Sequence, residues 1–263
     1  MSPTEELGSS AFAELAEIFQ RVGFDDVLPV FADDYGALHD TLHLHTADVA
    51  WCPPLVARDL IRVAAADPIA TIVRRGSDHY YSALVTTHGS RIRRVTDAPL
   101  ARMGWVSQMS AAGYVVARDY LASCGVPLRF REERFYSTHA QLAQALLEDQ
   151  VDLIATYAAL REGTLVLNPT LSEARLIGAA GPIPSDVVVA SRGLPRQVVL
   201  LVRDALLTAQ VSPTGPLATM LNAASFAPAS ASHLEPLSRW VERSLGGSLR
   251  PLFALVGASH PAA

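Results

Sequence analysis

Apolar positions recur along the chain with two alternating periods. Leu15, Ile18, Phe19 and Val22 stand at i, i+3, i+4 and i+7, which lays one apolar stripe along a helix, and Gly23 marks its end. A short apolar run follows at 27–31, then a helical pattern around Tyr35, Leu38 and Leu42. Residues 48–51 read as a buried strand, 54–64 as a helix with proline in its first turn, and 69–73 as a strand. The segment YYSALVTT (80–87), rich in aromatic and β-branched residues, reads as another strand. The alternation then restarts. Strands are predicted at 102–106, 129–135, 151–156, 173–177 and 186–190, and helices at 110–123, 138–148 and 196–209. Further helical pieces fall at 217–223 and 234–245, whereas GAAGPIPS (178–185) reads as a turn-rich link and SFAPASASH (225–233) as a loop. Short strands alternating with helices predict an α/β architecture with a largely parallel sheet.

Composition narrows the function classes. Half of the 263 residues are apolar and 18% are charged, which supplies ample core and excludes disordered, collagenous and coiled-coil chains. A formal charge of −5 without a basic cluster argues against nucleic-acid and anionic-membrane surfaces. All 21 basic residues are arginine, so Schiff-base lysine chemistry and a Walker-type phosphate lysine are excluded. Cys52 and Cys124 form no framework and read as two separate buried thiols, with one bridge between them left open. The first residues carry neither a basic region nor a continuous apolar core, and no window reaches the roughly 18–20 apolar residues of a membrane span. As written, the chain reads as cytoplasmic. No nucleophile-elbow, Walker, dinucleotide-binding or zinc-protease motif occurs, and the expectation is no cofactor, no metal and no catalytic residue.

Several segments, in order, resemble the phosphate/phosphonate-binding proteins of the type 2 periplasmic-binding-protein superfamily, the substrate-binding components of ABC transporters. Tyr35-Gly-Ala-Leu followed by Ala47-Asp-Val-Ala-Trp is similar to the family's tyrosine helix and D-[IV]-A-W strand. Tyr80-Tyr-Ser-Ala-Leu-Val resembles its G-Y-x-S-x-[IL] strand, and Gly104-Trp-Val-Ser leading to Ser110-Ala-Ala-Gly-Tyr its S-x-S-G-[YF] anion loop. Thr138-His139 resembles the G-[ST]-H before a helix, Val151-Asp-Leu-Ile-Ala-Thr the V-D-[VI]-A strand, and Gly181-Pro-Ile-Pro-Ser-Asp the return segment. The resemblance implies two lobes, one of residues 1–88 plus 179–263 and one of residues 89–178, closing by hinge motion over a ligand in the cleft between them. It also implies a strand before the first helix. Either the true start lies upstream, hiding that strand and a signal that would make the protein periplasmic, or this is a cytosolic relative.

The implied ligand is a small anion, a phosphate- or phosphonate-like oxyanion or an acidic metabolite. Unpaired amides and the positive dipole end at Ser110, Ala111, Ala112 and Gly113 form an anion site without lysine, and Ser107 and Ser110 add hydroxyls. The other reading is a plain serine N-cap with small packing residues. Ala111 and Ala112 stand where phosphonate binders place hydroxyl residues. Tyr80 occupies a family position facing the cleft, with Tyr81 as a core aromatic on the opposite face. Trp51 walls the ligand or packs as a core tryptophan. His139, at the N-cap of its helix, donates to an anion or merely caps, and Thr156 and Tyr157 close their strand toward the cleft. Asp152 reads as structural, Arg129, Arg131 and Arg134 as a solvated strand face, and Cys52 as a buried thiol. His39, His43 and His45 read as surface histidines, since no carboxylate or cysteine completes a metal motif. The partner is an ABC-transporter permease or a sensor/kinase, and the chain is a monomer. The rival reading is a cytosolic enzyme of the same fold, of the menaquinone-biosynthesis type, acting on a chorismate-derived acid with His139 or Asp152 as base.

Overall fold

The N-terminal stripe forms α1 (Pro3–Gln20), and Gly23, at φ 95°, follows its end. The structure, a computed structural model, describes residues 3–74, 76–221 and 225–245. The chain continues through α2 (Tyr35–His43), β1 (Val49–Cys52), α3 (Pro54–Arg62), β2 (Ala66–Val73), β3 (His79–Thr87) and β4 (Arg102–Trp105). Next come α4 (Val116–Ser123), β5 (Glu132–Phe135), α5 (His139–Leu147), β6 (Leu153–Arg161), β7 (Thr164–Leu167) and β8 (Ala174–Pro184). The last elements are β9 (Val187–Ser191), α6 (Arg196–Thr208), α7 (Pro216–Leu221), β10 (Ser225–Pro228) and α8 (Pro236–Leu245). Capping follows local chemistry. The Asp34 carboxylate accepts from the Ala37 amide at 2.8 Å ahead of α2, and Thr138 accepts from Gln141 at 3.1 Å ahead of α5.

Contacts divide the chain into two units. The first runs to Asp78 and resumes over Ser185–Glu235, and the second takes His79–Pro184 together with α8. The boundaries therefore lie at 78/79 and 184/185, not at 88/89 and 178/179. The reason is β3, which hydrogen-bonds along its length to β6 and β8 and so belongs, with Tyr80, to the second unit. α8 likewise packs on α4 and β8 instead of joining the first unit.

The first unit holds a four-stranded sheet in the order β1-β9-β2-β10. Every pair in it is antiparallel, which corrects the expectation of a largely parallel sheet. Hydrophobic periodicity carries no strand direction, and β9, far downstream, inserts between β1 and β2 and opposes both. Residues 225–228, expected as loop, form the edge strand β10 and bury Phe226 against Ile72 and Leu206. The apolar run at 27–31 forms no strand, and Leu28, Val30 and Phe31 are largely exposed. Ile18 and Phe19 of α1, Ile69 of β2, Val188 of β9 and Val202 of α6 complete the core of this unit.

The second unit holds a sheet in the order β5-β4-β6-β3-β8, with β7 paired to β6. Only β4–β5 and β4–β6 are parallel. Side chains alternate between two cores, as a strand covered on both faces requires. Ala83, Val85 and Ile154 meet Leu142 and Leu146 of α5, whereas Leu84, Leu153 and Ala155 meet Trp105, Met103 and Leu121 on the α4 side. β8 continues through the segment expected to be turn-rich. Pro182 and Pro184 are tolerated there because β8 is the sheet's edge. The β6–β7 hairpin turns through Glu162 and Gly163, both at positive φ, a signal the sequence reading passed over.

Candidate anion-binding site

β4 delivers the chain to a short loop and then to a π-helical turn, Ala111–Val115, which runs directly into α4. Ser110 caps the turn. Its hydroxyl oxygen accepts from the Gly113 amide at 3.0 Å, and its carbonyl accepts from Val115 at 3.1 Å, the i→i+5 bond of a π-helix. The wider bonding step leaves one more amide open than an α-helical first turn does. Among the described residues no hydrogen bond forms from the amides of Ala111, Ala112 or Tyr114. Ser107 braces the approach: its carbonyl accepts from Ser110 at 2.9 Å, and its hydroxyl accepts from Met109 at 3.3 Å. Gly113 is required by packing, because a Cβ there would lie 2.6 Å from Val106 Cγ2 and 2.8 Å from Ser110 Oγ. Ser110, Ala111, Ala112 and Gly113 are all buried, and the Ser110 hydroxyl keeps its own proton to donate.

β3 and β6 both pack against this turn. In the middle of β6, which runs on to Arg161 and so does not close at Thr156 and Tyr157 as expected, the buried Thr156 Oγ1 lies 2.9 Å from His139 Nδ1, and the His139 ring stands edge-on to Tyr157 with centroids 4.9 Å apart. Asn168 donates to the Tyr157 hydroxyl at 3.1 Å, so that hydroxyl keeps a proton to donate. Thr138 supplies the N-cap and His139 is the first helical residue, which corrects the placement of His139 at the cap. The structure thus places Ser107, Ser110–Gly113, Thr156, Tyr157 and His139 in one unit. Tyr80 belongs to the same unit, half-buried on β3 opposite Ile183. Trp51 belongs to the other unit, on β1, 37% exposed, so it is not a core tryptophan. Sequence reasoning missed Asn168 and the buried Ser82, whose hydroxyl donates to the Ala112 carbonyl at 2.7 Å. The available signal was Ser82 itself, a hydroxyl inside an apolar strand that needs a partner once buried.

The remaining candidates resolve by geometry. Asp152 is gripped by Arg102 through Nε at 3.1 Å, Nη2 at 2.7 Å and the backbone amide at 2.8 Å. These bonds outweigh burial and hold its carboxyl below the usual carboxylate range, which disposes of it as a general base. Cys52 is buried, and burial pushes its thiol well above the ordinary cysteine value. Cys124 is exposed and free, not the second buried thiol expected. Arg134 pairs with Glu132 at 2.6 Å on the exposed face of β5, while Glu133 accepts from the Trp105 indole at 2.7 Å. His39 is not a surface residue: it is buried, with Nε2 3.3 Å from Asp59 and Nδ1 3.3 Å from Asp40. His43 and His45 are exposed, and His45 Nδ1 lies 2.6 Å from Ser191 Oγ. Among the described residues no three metal-ligating side chains converge, and no helix is long and apolar enough to cross a membrane.

A lysine-free turn of open amides flanked by serine hydroxyls offers the hydrogen-bond donors that an oxyanion needs. A sequence model described as the periplasmic substrate-binding protein of a phosphonate ABC transporter matches residues 3–234. The chain belongs to that family. The family is a binding component and not an enzyme, which overturns the rival reading of a menaquinone-type catalyst. No curated protein matches the chain in sequence. Among solved structures, it is similar to a binding-protein component of an ABC phosphonate transporter from Pseudomonas aeruginosa, with 21% identity and a TM-score of 0.77, covering 100% of this chain and 87% of that one. It is also similar to PhnD1 from Prochlorococcus marinus in complex with methylphosphonate, with 16% identity and a TM-score of 0.74, covering 93% and 95%. A Xanthomonas citri protein bound to ATP shares 17% identity with a TM-score of 0.72, covering 94% and 96%. At these identities the likeness establishes the periplasmic-binding-protein fold.

Proposed function

We propose that this member of the family binds a compact oxyanion of the phosphate or phosphonate class, chemically unchanged, and hands it to an ABC-transporter permease. The observation that carries the reading is the capped π turn, whose Ala111, Ala112 and Tyr114 amides have no partner among the described residues. Amides aimed from a first helical turn stabilise a negative group by hydrogen bonding and by the helix dipole together. Ser110 and Ser107 add hydroxyls, and His139, Tyr157 and Tyr80 supply the polar and aromatic surroundings. Ala111 and Ala112 bring no hydroxyl, so backbone amides carry most of the recognition. That favours a ligand whose oxygens reach the backbone closely, as methylphosphonate or inorganic phosphate does, over a bulky nucleotide.

Isothermal titration of the purified chain with methylphosphonate, inorganic phosphate and ATP tests this. The expected outcome is binding of the two small anions, weaker or absent binding of ATP, and recovery of unaltered ligand by mass spectrometry. Ala112→Glu places a negative charge at the turn and is expected to abolish binding. Unchanged affinity in that variant would overturn the site.

A further inference from the structure

Ser82 lies outside the anion loop, in the middle of β3, and only 1% of it is exposed. Its hydroxyl donates to the Ala112 carbonyl at 2.7 Å. The amide joined to that carbonyl is the Gly113 N–H, which Ser110 Oγ holds at 3.0 Å. One peptide plane, between Ala112 and Gly113, is therefore gripped at both ends, by a strand serine on its oxygen and by the cap serine on its nitrogen. Because the peptide unit is planar, fixing both ends fixes its orientation, and the neighbouring amide of Ala112 follows. This matters in a π turn, whose i→i+5 bonds hold the backbone less tightly than an α-helix does. Donation to the carbonyl also polarises the peptide group it belongs to.

We infer that Ser82 is a positioning residue for anion binding: its hydroxyl sets the orientation of the amides that meet the ligand without touching the ligand itself. The inference rests on the oxyanion reading given above. Its hydrogen is committed to Ala112, so it acts through the loop.

A matched control lies on the same strand. Thr86 is fully buried, and its hydroxyl donates to the Asp152 carbonyl at 2.8 Å, away from the anion loop. Ser82→Ala and Thr86→Val each delete one buried hydroxyl bond from β3. In hydrogen exchange of the ligand-free protein, Ser82→Ala is expected to speed exchange across 110–115, and Thr86→Val to leave that segment as in wild type. In titration with methylphosphonate and inorganic phosphate, Ser82→Ala is expected to weaken binding about five- to twentyfold, a single hydrogen bond's worth. Thr86→Val should stay within about twofold on the same scale. Ser82→Thr, which keeps the hydroxyl, is expected to restore both readouts, and it replaces Ser82→Ala as the graded variant, alongside Ser82→Cys, if the alanine protein does not fold. Wild-type loop exchange in Ser82→Ala overturns the inference, as does faster exchange with unaltered affinity, or equal affinity losses in both variants. If wild type binds neither anion, the oxyanion reading fails, and the exchange arm alone then judges whether Ser82 orders the loop.

Discussion

Single residues decide whether the loop can present its amides. Gly113 and Gly104 make the point by contrast. A Cβ on Gly113 would strike Val106 at both Cγ2 and Cβ and would crowd the capping Ser110 hydroxyl at 2.8 Å, so the backbone has nowhere to go. On Gly104 it would meet the tip of Leu142 at 2.6 Å, the far end of a flexible side chain on α5. Both substitutions are expected to cost stability, about 1–3 kcal/mol for overpacking of this kind. Only Gly113→Val should also remove anion binding, because it displaces the turn. Urea midpoints and titration with methylphosphonate on the two variants check this, with Gly104→Ala expected to keep its affinity.

At the level of elements, α2 and α3 are held together by buried charge. His39 sits between Asp40 and Asp59, and Asp59 also pairs with Arg62 at 2.6 Å. Burial pulls the His39 pKa down, but the two carboxylates outweigh it, and the net displacement is above the ordinary 6.5. For Asp59, burial pushes upward, and His39 and Arg62 outweigh it, leaving the carboxyl below the ordinary 3.8. The signs follow by linkage. The His39 contribution is complete below pH 6.5 and is lost as pH rises through the raised value. The Asp59 contribution is complete above pH 3.8 and is lost as pH falls through the lowered one. Docking of α2 on α3 is therefore strongest between these limits. Hydrogen exchange of α2 amides, corrected for the intrinsic pH dependence, is expected to show less protection at alkaline pH than at pH 6. His39→Asn should flatten that alkaline limb.

At the scale of the whole molecule, each unit has its own sheet and its own core, and the chain passes from one to the other at 78/79 and back at 184/185. The loop of open amides and the His139–Thr156–Tyr157 cluster belong to the same unit, so a bound oxyanion is expected to act on both. Methylphosphonate at a hundredfold excess over its Kd should raise unfolding stability by about 2.7 kcal/mol. Exchange should slow over 107–115 and over 139–157 together, and slowing of the loop alone would detach the histidine cluster from the site. In Ala112→Glu neither change is expected.

The amphipathic spacing of α1 and α2, the strand character of 80–87 and the capping role of Ser110 were all determined by the sequence itself. Helical period, cap chemistry and β-branching act within a few residues of one another, so they are legible without partners. Tertiary structure alone decided the rest. β9 runs between two strands far upstream of it, β8 extends through its prolines because β3 pairs with it while its outer side stays an edge, and 225–228 becomes a strand because β2 offers an open edge. His39 is buried because Asp59 awaits it on another helix, and Ser82 gains its role because the Ala112 carbonyl arrives beside it from thirty residues away along the chain. Each of these outcomes depends on a hydrogen-bond partner or a counter-charge supplied by a distant segment, and no local pattern encodes where that segment will be.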